Sequence, residues 1–375
     1  MFKTTGIIFV TAILLLAGCS TSTTPPDETI SPAPASGGAA AMNWSAPGTG
    51  QKPVAHTVNT NAPPVVRTNH PAAIVSKSAP PPVLTWTSLN RWAAEHNVTT
   101  PRLVSKSPLT TYAVSSANGV MVVGIGSLGA TWNGIEINLG FAPEFIDGEV
   151  FLHGLDLQKN LEPLLCAAPI SFPQTNRVIV IDPGHGGANH GATSVLDKRL
   201  EKEFTLDWAK RLKPLLETNG WKVLLTRTSD VFVTNFDRVT FAEAHHADLF
   251  ISLHFNATDK SDPKAGGLET YCITPVGMPS TLTRGYADPW FENLPNNNFD
   301  AQNLQLAVRV QGALRITGLE DRGVRRSRFE TVLRGQNRPA ILVEGGYLSN
   351  PAEARLIESS EYRQKIAQAV ASALK

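Results

Sequence analysis

The sequence predicts an α/β protein in which a mixed, largely parallel sheet carries helices on both faces, preceded by a small α+β segment and a disordered tether. Three observations predict it. From Arg177 to Lys375, short apolar β-branched runs alternate with stretches whose apolar residues recur at helical spacing, as strands joined by crossover helices do. The first run, Val178-Ile179-Val180-Ile181, is stopped by Asp182-Pro183-Gly184-His185-Gly186-Gly187, a tight turn at the carboxyl edge of a buried sheet. Residues 20–83, in contrast, are mostly Ser, Thr, Pro, Ala and Gly, with too little apolar surface to offset the entropy of ordering them.

Taken in order, residues 1–19 read as an export signal. A positive start, Met1-Phe2-Lys3, precedes an apolar stretch from Ile7 to Leu16 that is too short to span a bilayer comfortably. It ends in Leu16-Ala17-Gly18-Cys19, which resembles the bacterial lipobox and implies cleavage that leaves Cys19 as a lipidated amino terminus. Ser20 after it, rather than Asp, resembles the pattern for sorting to the outer membrane, facing the periplasm. The tether holds Pro32-Ala33-Pro34-Ala35 and Pro80-Pro81-Pro82, and such linkers are extended and semi-rigid, so the folded part can stand off a membrane.

Residues 84–165 pattern as a small accessory domain. A helix is predicted around Ser88-Leu89-Asn90-Arg91-Trp92-Ala93-Ala94. A hairpin joins Thr111–Val114 to Val120–Val123 across Asn118-Gly119, a favoured turn dipeptide. Trp132 to Leu139 alternates like one half-buried strand, and Glu149 to Leu165 reads as a strand running into a helix. The segment resembles the N-terminal domain of copper amine oxidases, a module also fused to cell-wall enzymes, which implies binding or spacing rather than chemistry.

Residues 177–375 form the main domain. Glu201 to Glu217 is a helix with Phe204, Trp208, Leu212 and Leu215 or Leu216 on one face, stopped by Asn219-Gly220. Trp221–Leu225, Leu249–Leu253 and Ala340–Val343 are strands; Phe236–Ala247, Gln302–Ile316 and Tyr362–Leu374 are helices. Lys plus Arg total 33 and Asp plus Glu 32, leaving no field or basic stripe for nucleic acid. Cys166 and Cys272 either pair in an oxidising compartment or stay free.

Loops at the carboxyl ends of parallel strands are where open α/β sheets place their ligands. His185 leaves the first strand there, Glu201 opens the following helix, and His254 follows Leu249–Leu253 on the same edge. Two imidazoles and one carboxylate are a donor set that catalytic zinc uses, with a fourth position left for water. Glu344, before Gly345-Gly346, is a carboxylate with no packing role. His190, His245 and His246 read as surface or helix-end residues, and Glu203 as solvated.

These pieces, with Leu225-Thr226-Arg227 and Asp230, Arg238, Ser252-Leu253-His254-Phe255-Asn256-Ala257, Gly266-Gly267 with Glu269, Asp321-Arg322-Gly323-Val324, and Val343-Glu344-Gly345-Gly346-Tyr347-Leu348-Ser349-Asn350-Pro351 with Glu353, are similar in order and spacing to the zinc-dependent N-acetylmuramoyl-L-alanine amidases. The resemblance implies zinc on His185, Glu201 and His254, and Glu344 as the catalytic carboxylate. It implies hydrolysis of the amide between the lactyl group of N-acetylmuramic acid and L-alanine in peptidoglycan; on an activator protein as a further partner the sequence is silent. Asn189 stands where the family commonly has Asp, and Tyr347 where Phe is commoner; neither is expected to touch a ligand. Arg322 and Arg325 are either binders of substrate carboxylates or solvated charge. Some relatives plug their own metal from an inserted segment, so the long stretch Thr274–Asp300 is either such a plug, with Glu292 as its acid, or a substrate-contacting or mobile loop. The alternative function is a catalytically silent peptidoglycan-binding lipoprotein.

Overall fold

A computed structural model describes residues 85–375 apart from 174, 259–261 and 263; the signal, Cys19 and the tether lie outside the described residues. In the accessory segment, β1 (Trp86–Ser88) leads into α1 (Leu89–Glu95), which Ser88 caps by accepting from the Arg91 amide. An antiparallel meander follows: β2 (Arg102–Ser105), β3 (Thr111–Ser116), β4 (Gly119–Gly124), β5 (Gly129–Trp132) and β6 (Ile135–Asn138). The hairpin expected at Asn118-Gly119 is β3 with β4, paired from Thr111 opposite Gly124 to Ser116 opposite Gly119.

The single strand expected over Trp132–Leu139 is corrected. Asn133 and Gly134 sit at φ 48° and 77° and fold the chain back, so that Trp132 pairs with Ile135. Asn-Gly suits such a turn because both positions need positive φ. The alternation that suggested one strand belongs to β6 and its extension alone, where Ile135, Ile137 and Leu139 are buried. A further hairpin, β7 (Glu144–Ile146) and β8 (Glu149–His153), places β8 against β1. One turn, α2 (Gly154–Asp156), then runs into a π-wound helix over Leu157–Cys166.

The main segment runs β9 (Val178–Pro183), α3 (Glu201–Thr218), β10 (Lys222–Leu225), α4 (Asn235–Ala244), β11 (Leu249–Asn256), β12 (Leu268–Ile273), α5 (Asp300–Leu314), β13 (Asp321–Ser327), α6 (Thr331–Arg334), β14 (Ala340–Tyr347), α7 (Pro351–Glu358) and α8 (Ser360–Ala373). One sheet orders them β10-β9-β11-β14-β12-β13. The first four are parallel, while β12 runs antiparallel to β14 and parallel to β13. The sheet is therefore mixed, as expected.

Its strands read as continuous apolar runs because both faces are covered. Ile179, Ile181, Ile251 and Leu253 pack with residues of α3, α5 and α8, while the alternating Val180, Phe250 and Leu342 pack with α4 and α6. Phe204, Trp208, Leu212 and Leu216 are wholly buried along one face of α3, as their spacing predicted. The accessory segment shares this core, since Leu89, Trp92 and Leu161 join the same apolar cluster. Polar ties reinforce the junction: Lys159 Nζ meets Asp300 Oδ2 at 3.1 Å, and Arg326 donates to Asn160 Oδ1 at 3.1 Å. Cys166 is exposed and Cys272 buried in β12, and they do not pair. No described helix is long and apolar enough to cross a membrane.

Candidate active site

The turn that follows β9 is held by charge. Asp182, buried at the end of that strand, accepts from Arg238 and Thr226, and from Ser252 Oγ at 2.7 Å. Arg238 passes on to the His185 carbonyl at 2.7 Å, and Arg227 donates to the Pro183 and Gly184 carbonyls at 3.0 and 2.8 Å. His185 has φ 62°, a left-handed conformation that costs a residue with a Cβ about 1 kcal/mol or more unless its surroundings fix it. The two guanidiniums supply that fixing. Lys202 Nζ then bonds the Gly187 carbonyl at 2.8 Å and Asp230 at 2.7 Å, closing the far side of the turn.

His254 lies within β11 and Glu344 within β14, directly opposite each other in the parallel register, so both strands extend beyond the ends read from sequence. Glu201 is the first residue of α3. His185 Nε2 lies 2.9 Å from Glu201 Oε2, His254 Nδ1 lies 3.0 Å from Glu201 Oε1, and the two ring nitrogens are 3.1 Å apart. The fourth predicted residue shares their space: His185, Glu201, His254 and Glu344 all line one cavity of about 300 Å³. A larger cavity, of about 460 Å³, lies between the π-wound helix, the Asn133 turn and α5, and gathers no cluster of titratable groups.

The donor set fits a small cation. Ligand atoms of a tetrahedral zinc, at ~2.0–2.1 Å from the metal, stand roughly 3.3 Å from one another, close to the observed separations. The proton inventory points the same way. Asn189 Oδ1 accepts from the Gly191 amide at 3.3 Å, which fixes its oxygen toward His185 Nδ1 at 2.9 Å. With its proton on Nδ1, His185 turns the Nε2 lone pair toward His254 Nδ1, and two facing nitrogens hold a cation better than they hold each other. Close packing around the set requires glycine at two positions. A Cβ on Gly184 would fall 2.3 Å from the His254 ring, and one on Gly191 would fall 2.5 Å from Glu201 Oε2, at φ 69°.

Burial alone would raise the Glu201 carboxyl, but the imidazoles of His185 and His254 outweigh it and hold the group well below the usual range. Backbone amides of Ala192 and Phe255 also donate to its two oxygens, at 2.8 and 3.0 Å. For Glu344 the balance is reversed. Burial first, then the negative charge of Glu201, push its carboxyl well above the ordinary value, and its Oε2 is buried with no hydrogen-bond partner among the described residues. Glu330, on the same cavity, is pushed up by burial to about 7, with Arg284 opposing the shift.

The expectation that Asn189 touches no ligand is corrected: it is the group that orients His185. Its signal was available, since an Asn four residues after a His in a Gly-rich turn can close an Asx-type turn on it. Partners that orient a metal-binding His typically contribute 10–100-fold in metal affinity. Asn189→Ala is therefore expected to weaken zinc binding by about 10- to 100-fold in a competitive chelator titration; an unchanged affinity would remove Asn189 from this role. Tyr347 bonds Glu269 instead, at 3.1 Å, and touches no member of the set.

The structure does not bring Glu292 to the cavity. Its carboxylate accepts from Arg334 of α6 at 2.6 Å, and Asp288, bonded to Ser280 and Arg328, pins the surrounding loop. The plug is thus overturned by a local ion pair, and the loop residue that lines the cavity is Arg284. Arg322 and Arg325 both turn to the buried Glu269, at 2.9 and 3.4 Å. Glu269 also accepts from Asn256, Tyr271 and Tyr347, a hub that sequence reasoning did not assign. His190, His245 and His246 are exposed, as expected, and Glu203 pairs with Arg199 at the surface.

Comparison with known proteins adds a family to this geometry. A family model described as N-acetylmuramoyl-L-alanine amidase matches residues 179–375. A probable cell wall amidase LytH of Staphylococcus epidermidis is 35% identical over 206 residues, 55% of this chain and 60% of the relative. The N-acetylmuramoyl-L-alanine amidase AmiA of Escherichia coli is 32% identical over 219 residues, 52% of this chain and 74% of the relative. The chain thus spans less than two thirds of the LytH relative and more than two thirds of AmiA. A crystal structure of an N-acetylmuramoyl-L-alanine amidase from Clostridium difficile 630 aligns with 53% of this chain and 95% of its own, at 30% identity and a TM-score of 0.44.

Proposed function

We propose, for a chain that belongs to the N-acetylmuramoyl-L-alanine amidase family, that residues 177–375 hydrolyse the amide between the lactyl group of N-acetylmuramic acid and L-alanine in peptidoglycan. His185, Glu201 and His254 hold zinc, and Glu344 carries the proton. The observation that supports this most is the orphaned Glu344 Oε2, a buried carboxylate oxygen facing the same cavity as the three donors. Leaving such a group unpaired costs stability, and proton transfer is a use that accounts for it.

Zinc bound there would supply a Lewis acid, lowering the pKa of water toward ~7, polarising a carbonyl and favouring the ionised form of Glu344 by its charge. Glu344 Oε2 takes a proton from the attacking water as the oxygen–carbon bond forms. The same atom delivers that proton to the alanine nitrogen as the carbon–nitrogen bond breaks, so the amine departs neutral and the carboxylate is restored. A silent wall-binding protein has no use for this carboxylate, and for that reason it is the weaker reading. Purified sacculi treated with the chain should release stem peptides only when zinc is present. Release that survives metal removal, verified by elemental analysis, overturns the metal mechanism; no release with zinc bound restores the silent binder.

Relatives named as cell wall amidases support an exported protein. Residues 1–19 serve as a lipoprotein signal, acyl chains on Cys19 anchor the chain to the outer membrane facing the periplasm, and 20–83 tether it. Residues 84–165 act as a spacer or wall-binding module. Cys19→Ser is expected to move the protein out of the membrane fraction or leave its signal uncleaved, since the acyl chains are the anchor. Normal signal removal with unchanged fractionation would exclude the lipid anchor.

A further inference from the structure

We propose that Arg284 is a specificity-determining residue that receives a free carboxylate on the substrate's peptide, one or two residues beyond the scissile amide. The inference rests on the amidase reading and adds to it the chemical class of peptide preferred. Among the described residues that line the cavity, Arg284 is the only cation; Glu201, Glu330 and Glu344 are the acids. The neighbouring arginines are engaged elsewhere: Arg322 and Arg325 on Glu269, Arg328 on Asp288, Arg334 on Glu292. Arg284 makes no carboxylate ion pair among the described residues. Its two contacts are long and go to Asn256 Oδ1 at 3.3 Å and Tyr271 Oη at 3.4 Å, both through Nη2.

The guanidinium is nevertheless held in place. It lies 5.1 Å from the centre of the Phe329 ring and 5.8 Å from that of Tyr271, and Tyr286 stacks on Phe329. Such a clamp fixes the plane of the fork before a ligand arrives. Nε and Nη1 make no hydrogen bond among the described residues, and the residue is exposed at the cavity rim. A planar fork with open donors matches a carboxylate, which it can grip through two parallel bonds.

Size sets how far along the peptide this group lies. A cavity of about 300 Å³ accommodates roughly two residues of extended peptide at about 3.5 Å each. Of the other acids on the walls, Glu330 and Glu344 are not assigned to the metal, and they disfavour an anion beside them. A carboxamide in place of the carboxylate would keep the shape of the peptide and lose the charge-assisted bonds.

The test compares two soluble muropeptides that differ only at the second residue of the peptide, where one carries a free α-carboxylate and the other a carboxamide. The full chain with zinc should cleave the carboxylate form with a kcat/KM about 10- to 100-fold higher, carried by KM, as expected for a charge-assisted pair. Arg284→Gln should abolish the preference, bringing the carboxylate form to the level at which the same variant cleaves the carboxamide. Arg284→Lys, which keeps the charge without the fork, should retain part of the preference. Melting curves verify folding of both variants. Equal loss on the two substrates, or no preference in the wild type, overturns the proposal and makes Arg284 a counter-charge for the cavity acids. If neither substrate is cleaved by the wild type, the amidase reading fails. Calorimetric titration of the same two muropeptides into wild type and Arg284→Gln then still decides the carboxylate site, by whether the preference in affinity exists and vanishes with Arg284.

Discussion

Glu344→Gln should lower turnover by about 10²- to 10⁴-fold, the usual contribution of a general acid–base group, while zinc content stays at the wild-type level. The substitution keeps the shape of the side chain on β14 and the cross-strand position opposite His254, and removes only the proton acceptor. Folding stability supplies a second readout. In the wild type a carboxylate is buried with one oxygen unpartnered and with Glu201 nearby as a second negative charge. A neutral amide still leaves a polar atom unpartnered there but removes the charge, and with it the need to take up a proton on folding, so the melting temperature of the metal-free variant should equal or exceed that of the metal-free wild type. A rate loss under about tenfold would count against Glu344 as the proton carrier. A matching loss of zinc would move it from proton transfer into the ligand set.

His254→Ala should abolish turnover by a different route, through loss of the metal. Dividing about 10–16 kcal/mol of zinc affinity among three or four ligands assigns each several kcal/mol, so zinc should bind at least about 10²-fold more weakly. Elemental analysis after dialysis then finds well under one zinc per chain. The apo protein should also be less stable, because Glu201, buried at the start of α3, loses the imidazole that bonds its Oε1. Stoichiometric zinc in the folded variant would show that His254 is not a ligand. The pair of variants separates the two roles: one keeps the metal and loses the proton acceptor, and the other loses both activity and metal.

Legibility from sequence followed the kind of interaction involved. His185, Glu201, His254 and Glu344 were readable because each sits at a sheet edge or helix start that local patterning marks: a buried β-branched run, a Pro-Gly stop, a helical apolar stripe. Parallel strands then bring their carboxyl ends together whatever the loops do. Asn189 was named and misjudged, since its contact with His185 depends on how the Gly-rich turn closes. The Asn133-Gly134 turn was hidden by an alternation that belonged to β6 alone. Glu292 was chosen as the acid of an acidic and aromatic cluster, and composition holds no record of the Arg334 that pairs with it.

What the sequence by itself determined was the layered α/β architecture and the donor set at its edge, because periodicity, stops and residue chemistry are local and survive without coordinates. What only the tertiary structure decided was the pairing of charges: Arg227 and Arg238 on the His185 turn, Arg322 and Arg325 drawn to Glu269, and Arg284 left with open donors in the cavity. A long charged side chain carries no sequence signal of its partner. It reaches across several ångströms to whichever carboxylate or carbonyl the fold places nearby, and that placement is set by strand order and loop path.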